Sequence, residues 1–324
     1  MEKLDVHLKK DLKEGGEKQI KEFILKERLI GKEKISGEYE KSKEELKIIE
    51  TINFLILNEI KKMDVSPKET LSSERVHLVS ENIFNQCHPG QQNQVGSYTT
   101  ETNSILINRD QLKQKLLLFS TILHEVLHYY SFNSFVVSID SNEVGPYRTG
   151  YSLQNFSENI NNHEHFRGLT EAVIDKMVQE IIENNKVFLI SQKIVSLGEF
   201  KKKNDILCYK EEVKVLELVI NKITEIKQKS YKEVWIKFKR GLFTGEMMYL
   251  RDVDNVFGTG SLRVLSAMLS EGSTKNIDSE QLIYLFDKFF KEEDKEIRNN
   301  LARKILSERE RLRYFERINK EKIK

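Results

Sequence analysis

The chain has little of what stiffens or cross-links a polypeptide: two cysteines, three prolines and one tryptophan in 324 residues. Cys87 and Cys208 lie far apart and belong to no CxxC pair, which argues against a disulfide framework and suits a reducing compartment. No stretch approaches the roughly 20 apolar residues of a membrane span, and the opening MEKLDVHLKKDLKEGGEKQ lacks the apolar run of a secretory signal. A charge of one sign is missing as well. The 53 lysines and arginines nearly cancel the 51 aspartates and glutamates and are interspersed with them, so the basic face of a nucleic-acid binder is not found. These absences lead to the expectation of a cytoplasmic protein with neither a membrane nor a nucleic acid as partner.

What is present points to helices. The sequence is 39% hydrophobic and 32% charged, rich in Lys, Glu, Leu and Ile, and long enough to bury a sizeable core. Residues 1–64 carry apolar residues at helical spacing, as in KQIKEFILKERLI and EELKIIETINFLILNEIKKM, and predict two or three amphipathic helices. The texture changes after Ser66-Pro67. RVHLVS (75–80) alternates like a strand, and after the polar loop NQCHPGQQNQVG the segments SYTT and NSILIN read as a hairpin or two nearby strands. From Leu112 the pattern is helical and apolar. Residues 133–161 read as irregular, helix resumes near Gly168, and almost everything beyond 186 reads as helical. Three regions result: a charged helical region over 1–64, a core over 65–185 and a helical region over 186–324.

The stretch ILHEVLHYY, residues 122–130, carries the chemistry. Positions i and i+4 share a helix face, so His124 and His128 can direct ring nitrogens at one ion. Glu125 projects about 100° around the helix, beside such an ion, where a base for a water molecule belongs. The apolar residues around these three mark a buried helix, and burying two imidazoles and a carboxylate without partners is costly; a divalent cation satisfies all three. The bland alternative is a hydrogen-bonded pair of core histidines. A catalytic zinc needs a third protein ligand, and Asp140, Glu143, His163, Glu164, His165 and Glu171 are available downstream. Glu171 stands out because Asp175 follows it at i+4, so one carboxylate can bind metal while the other accepts the outer N–H of a ligand histidine.

At these residues the sequence resembles the gluzincins, the thermolysin-like metallopeptidases, whose signature is HExxH followed by ExxxD on a later helix. The resemblance is confined to motifs within residues 75–185 and suits a small-core, minigluzincin-like member. It implies an α+β fold: a zincin-like core of a small mixed sheet with the HExxH helix and the third-ligand helix, flanked by helical regions at both ends. It implies zinc on His124, His128 and Glu171, Glu125 as general base, and Asp175 orienting His124, with His163 and His165 as the other third-ligand candidates. It also implies that NSILIN (103–108) is the upper edge strand of the sheet, along which an extended substrate lies. The function expected is hydrolysis of a peptide bond in a peptide or protein substrate. The other reading is a zincin-fold binding or regulatory protein with no or very restricted proteolysis, its terminal helices holding a protein partner.

Peptide hydrolysis through an oxyanion needs a hydrogen-bond donor besides the ion, and the segment GPYRTGY offers Tyr151 and Tyr147, with Arg148 beside them. VFGTGSLRVL (256–265) lacks the Lys-Ser/Thr of a phosphate loop and reads as a glycine-rich helix junction. YKEVWIKFKRGLF (231–243) reads as an amphipathic helix with a core stripe.

Overall fold

The computed structural model describes residues 16–66, 69–89, 94–137, 144–154, 165–201, 208–268 and 277–308. It is an α+β protein, mainly helical, with two small three-stranded sheets. Helix α1 (Gly16–Ile30) is followed by α2 (Lys43–Lys61), which begins in a capping box. The Glu45 backbone N–H donates to Ser42 Oγ, and the Ser42 backbone N–H donates to the Glu45 carboxylate at 2.8 Å. The S-x-x-E spacing ahead of an apolar run encodes this start.

The first sheet is built from β1 (Val76–Val79), β2 (Gly96–Thr99) and β3 (Ser104–Asn108), with α3 (Glu81–Cys87) between β1 and β2. Its order is β1-β3-β2, β3 running parallel to β1 and antiparallel to β2. NSILIN is therefore the central strand and the expectation of an edge strand there is corrected: the edge on the hairpin side is β2. Burial explains the reversal, since Ile105, Leu106, Ile107 and Asn108 are all buried, as a strand flanked on both sides requires.

Helix α4 (Lys115–Tyr130) lies across the face of this sheet, burying Ile122, Leu123, Val126 and Leu127. Its cap residue Gln114 makes no side-chain bond. Instead the Lys115 and Leu116 N–H groups donate to Glu199 Oε1, at 2.8 and 3.3 Å, so a residue 84 positions away caps the motif helix.

A second sheet, in the interval that reads as irregular, consists of β4 (Asn133–Val137), β5 (Val144–Thr149) and β6 (Ser152–Leu153) in that order. Gly145-Pro146 hides it from the sequence. Pro146 pairs with Phe135 next to a register shift in which Tyr147 is the extra residue, a bulge where a strand tolerates proline. Ile20 and Ile24 of α1 pack on Phe135 and Val137 of this sheet.

Helix α5 (Arg167–Asn184) follows, then α6 (Lys186–Ser191), α7 (Leu197–Lys201), α8 (Lys210–Lys227), α9 (Tyr231–Thr244), α10 (Arg251–Phe257), α11 (Ser261–Ser266), α12 (Ile277–Lys291) and a last helical stretch over 295–308. Gly258 and Gly260, both at positive φ, form the junction between α10 and α11. One apolar core runs from Ile48 to Ile305 through all three sequence regions. Buried Lys239 of α9 ties them further, its ammonium 3.1 Å from Glu180 of α5 and 3.9 Å from Glu59 of α2. Among the described residues no helix is long and apolar enough to cross a membrane.

Candidate metal centre

Two helices build the site. On α4 the i, i+4 spacing places His124 and His128 on one face, with ring centroids 5.0 Å apart. On α5 the same spacing sets Glu171 and Asp175 about 6 Å apart along the axis, the separation needed to grip one imidazole at both ends. His124 is held in this way: Nδ1 lies 2.9 Å from Asp175 Oδ1, and Nε2 lies 3.1 Å from Glu171 Oε2. The start of α5 is fixed by the end of α11 and the residues after it, where the Ser266 and Met268 carbonyls accept from the Phe166 and Gly168 N–H groups.

Asp175 is 1% exposed and both its oxygens are used, the second accepting the Tyr209 backbone N–H at 2.7 Å. With Asp175 as acceptor, His124 Nδ1 carries a proton and Nε2 faces inward, a donor to Glu171 while protonated and a lone pair once it is not. There it meets Glu171 Oε2 and, at 3.2 Å, His128 Nε2, which itself lies 3.3 Å from Glu171 Oε2. Three ligand atoms thus form a triangle with edges of 3.1 to 3.3 Å. A tetrahedral zinc with bonds of about 2.0 to 2.2 Å needs edges of about 3.3 to 3.6 Å, so a few tenths of an ångström of outward movement admits the ion. The donor set, two imidazole nitrogens and one carboxylate, is also one that zinc takes at sites with an open position.

The imidazoles and carboxylates shift one another's protonation. Burial works against a charge on His124, yet the bonds to Asp175 and Glu171 outweigh it and lift the imidazole well above its ordinary value. Burial likewise opposes the Glu171 charge, and the two imidazoles hold its carboxyl far below the ordinary range. Lying between the Asp175 and Glu171 carboxylates favours the His124 imidazolium; a divalent cation held by the triangle would take the place of the Nε2 proton, so that binding would release it.

Glu125 is 8% exposed and lies outside the triangle, its carboxylate against Gly96 of edge strand β2. Burial raises its carboxyl above the usual range, opposed by the charges of His124 and His128 and by a hydrogen bond from the Tyr98 backbone N–H. A carboxylate raised toward neutrality suits a base. Gly96 makes room for it: a Cβ there would lie 2.9 Å from Glu125 Oε1 and 2.8 Å from Thr121 Cγ2. Two aromatic rings flank the histidines. Tyr98 lies parallel to His128, with 3° between planes and 6.4 Å between centroids, its hydroxyl donating to Asn103 Oδ1 and accepting from Asn133 Nδ2. Tyr209 stacks on His124 at 5.7 Å.

The structure brings His124, His128 and Glu171 together, with Glu125 and Asp175 against them. His165 is not in the cluster; its backbone pairs with Leu153. His163, Asp140, Glu143 and Glu164 lie outside the described residues. Tyr151 does not serve as the expected donor here: it is fully buried and its hydroxyl donates to the Phe238 carbonyl at 2.7 Å, over Gly241. Arg148 donates through Nε and Nη1 to the Gly150 and Gly245 carbonyls at 2.7 and 2.6 Å, while its Nη2 is buried and meets no partner among the described residues. Tyr147 is half-buried at the β5 bulge. Sequence reasoning missed Tyr98, Tyr209 and Glu199, since each reaches the site across the fold without a local motif.

Comparison with protein-family models, with curated proteins and with solved structures returned no match for this chain. The functional reading therefore rests on the site.

Proposed function

We propose that this protein is a zinc-dependent metallopeptidase with a gluzincin-like, zincin-type core formed by the first sheet, α4 and α5. The observation that carries the reading is the triangle of His124, His128 and Glu171 with Asp175 behind it and Glu125 beside it. The residues fit the ion in donor type and in spacing. When bound, zinc polarises a carbonyl and acidifies water. The chain supplies the rest. His124, His128 and Glu171 hold the ion, Asp175 fixes the tautomer that leaves the His124 Nε2 lone pair free, and Glu125 takes the water proton and returns it to the departing amine. Edge strand β2, against whose Gly96 the Glu125 carboxylate packs, is the backbone along which an extended peptide pairs. A base held by this edge strand at the ligand cluster favours an enzyme over a binding-only protein, which has no use for it.

The test combines metal content and hydrolysis. Tag-free wild-type protein reconstituted with zinc is expected to hold about one ion per chain by elemental analysis, and Glu171→Ala to hold it weakly. Incubated with a synthetic peptide library read by mass spectrometry, wild type is expected to cut and Glu125→Gln to bind zinc without cutting. A chain that takes up no zinc returns the two histidines to a proton-bridged core pair, and a fully active Glu125→Gln removes the mechanism.

A further inference from the structure

Hydrolysis at this centre leaves one requirement unmet by the residues named so far. As water adds, a C–O bond forms and the carbonyl π pair moves onto oxygen, while the water proton passes to Glu125; that oxygen needs an O–H or N–H donor beyond the cation. Glu125 then protonates the nitrogen as the C–N bond breaks, so atoms and charge balance. The Tyr151 hydroxyl is spent on the Phe238 carbonyl, and Arg148 turns Nε and Nη1 to the Gly150 and Gly245 carbonyls, keeping a buried Nη2 that meets no partner among the described residues.

Tyr209 is placed differently. Its backbone N–H donates to Asp175 Oδ2 at 2.7 Å, which anchors the main chain at the Nδ1 end of His124. From there the ring lies along the imidazole, with 28° between planes. The phenol oxygen, para to Cβ, therefore lies at the far end of a ring stacked on the ligand histidine, away from the backbone anchor at Asp175. The residue is half-buried, and among the described residues its hydroxyl has no hydrogen-bond partner. A tyrosine stacked on a ligand histidine, tethered by its own backbone and with its hydroxyl unspent, offers the O–H donor that the developing oxyanion requires.

The geometry points to the Tyr209 hydroxyl as the hydrogen-bond donor to the substrate carbonyl oxygen. This rests on the metallopeptidase reading and adds to it a residue that no local motif marks. Tyr209 keeps its proton throughout and shares it with the oxygen only as negative charge builds there. Phenylalanine at 209 keeps the ring, the stack and the backbone bond to Asp175, and removes the donor alone.

The experiment uses the full chain loaded with cobalt, whose visible absorption reports ligands at the metal, titrated with acetohydroxamate as a small oxygen-donor probe. Wild type and Tyr209→Phe are expected to take up equal cobalt, with acetohydroxamate binding weakened about tenfold to a hundredfold in the variant, the worth of a hydrogen bond to a charged acceptor. Tyr147→Phe is expected to bind the probe like wild type. Equal probe affinity in wild type and Tyr209→Phe overturns the assignment, as does a loss confined to Tyr147→Phe. Loss of cobalt in Tyr209→Phe also overturns it, because the residue would then act by holding His124. A wild-type chain that takes up no cobalt overturns the metal reading itself, a result distinct from all of these.

Discussion

Asp175→Asn tests the metal centre through a residue that never touches the ion. Asp175 accepts twice, from His124 Nδ1 at 2.9 Å and from the Tyr209 N–H at 2.7 Å, and is 1% exposed, so no water can replace either bond. Asparagine offers one acceptor and one donor in the same space. If its oxygen stays on Tyr209, its NH2 group faces His124 Nδ1, which must then accept; the ring proton moves to Nε2 and blocks the lone pair that the metal needs. If its oxygen turns to His124 instead, the NH2 group meets the Tyr209 N–H donor to donor. Both arrangements penalise the zinc-bound state. Loss of such an outer partner costs about 10- to 100-fold in metal affinity, or about 1.4 to 2.8 kcal/mol. The assay is competition for zinc against a chromophoric chelator at fixed pH, with circular dichroism verifying that the variant is folded. A folded Asp175→Asn protein that holds zinc as tightly as wild type refutes the tautomer argument, whatever the third ligand is.

Three further outcomes follow from the packing. Gly96→Val drives side-chain atoms into Thr121 and Glu125; zinc content should persist while peptide hydrolysis falls sharply and stability drops by about 1 to 3 kcal/mol, measured by urea denaturation and the library assay. Tyr151→Phe removes a fully buried bond to the Phe238 carbonyl, so about 1 kcal/mol of stability should be lost with zinc uptake and hydrolysis retained; lost hydrolysis in a stable variant would restore Tyr151 as a donor. Glu199→Ala uncaps α4 and should cost about 1 kcal/mol near neutral pH, seen as a lower urea midpoint. Burial would raise the Glu199 carboxyl, but backbone and side-chain bonds from Ser196, Leu116 and Lys115 hold it below its ordinary value. A depressed folded-state pKa stabilises above the unfolded value of 4.5 and is lost as pH falls through the folded one, so the gap between wild type and variant should close below about pH 4.5.

The sequence by itself determined the local pieces. HExxH on an apolar run specified a buried helix with two histidines on one face, because helical periodicity is a property of neighbouring residues, and the pair Glu171 and Asp175 was legible for the same reason. The capping boxes at Ser42 and Ser230 and the helical texture beyond 186 were equally local. That strands as well as helices are present was legible where the periodicity changed. Tertiary structure alone decided what depends on pairing between distant segments. The pattern of NSILIN is apolar enough for either an edge or a centre, and only the parallel partner β1 put it in the middle. The second sheet was concealed because Pro146 breaks the strand pattern, and a bulge that absorbs it is invisible without the opposing strand. Tyr151 and Tyr209 are alike as letters; one hydroxyl is spent on a helix carbonyl and the other is left beside the ligand histidine. Which donor is free depends on the bonds already taken, and those run between residues 34 to 87 positions apart, from Asp175 to Tyr209 and from Tyr151 to Phe238.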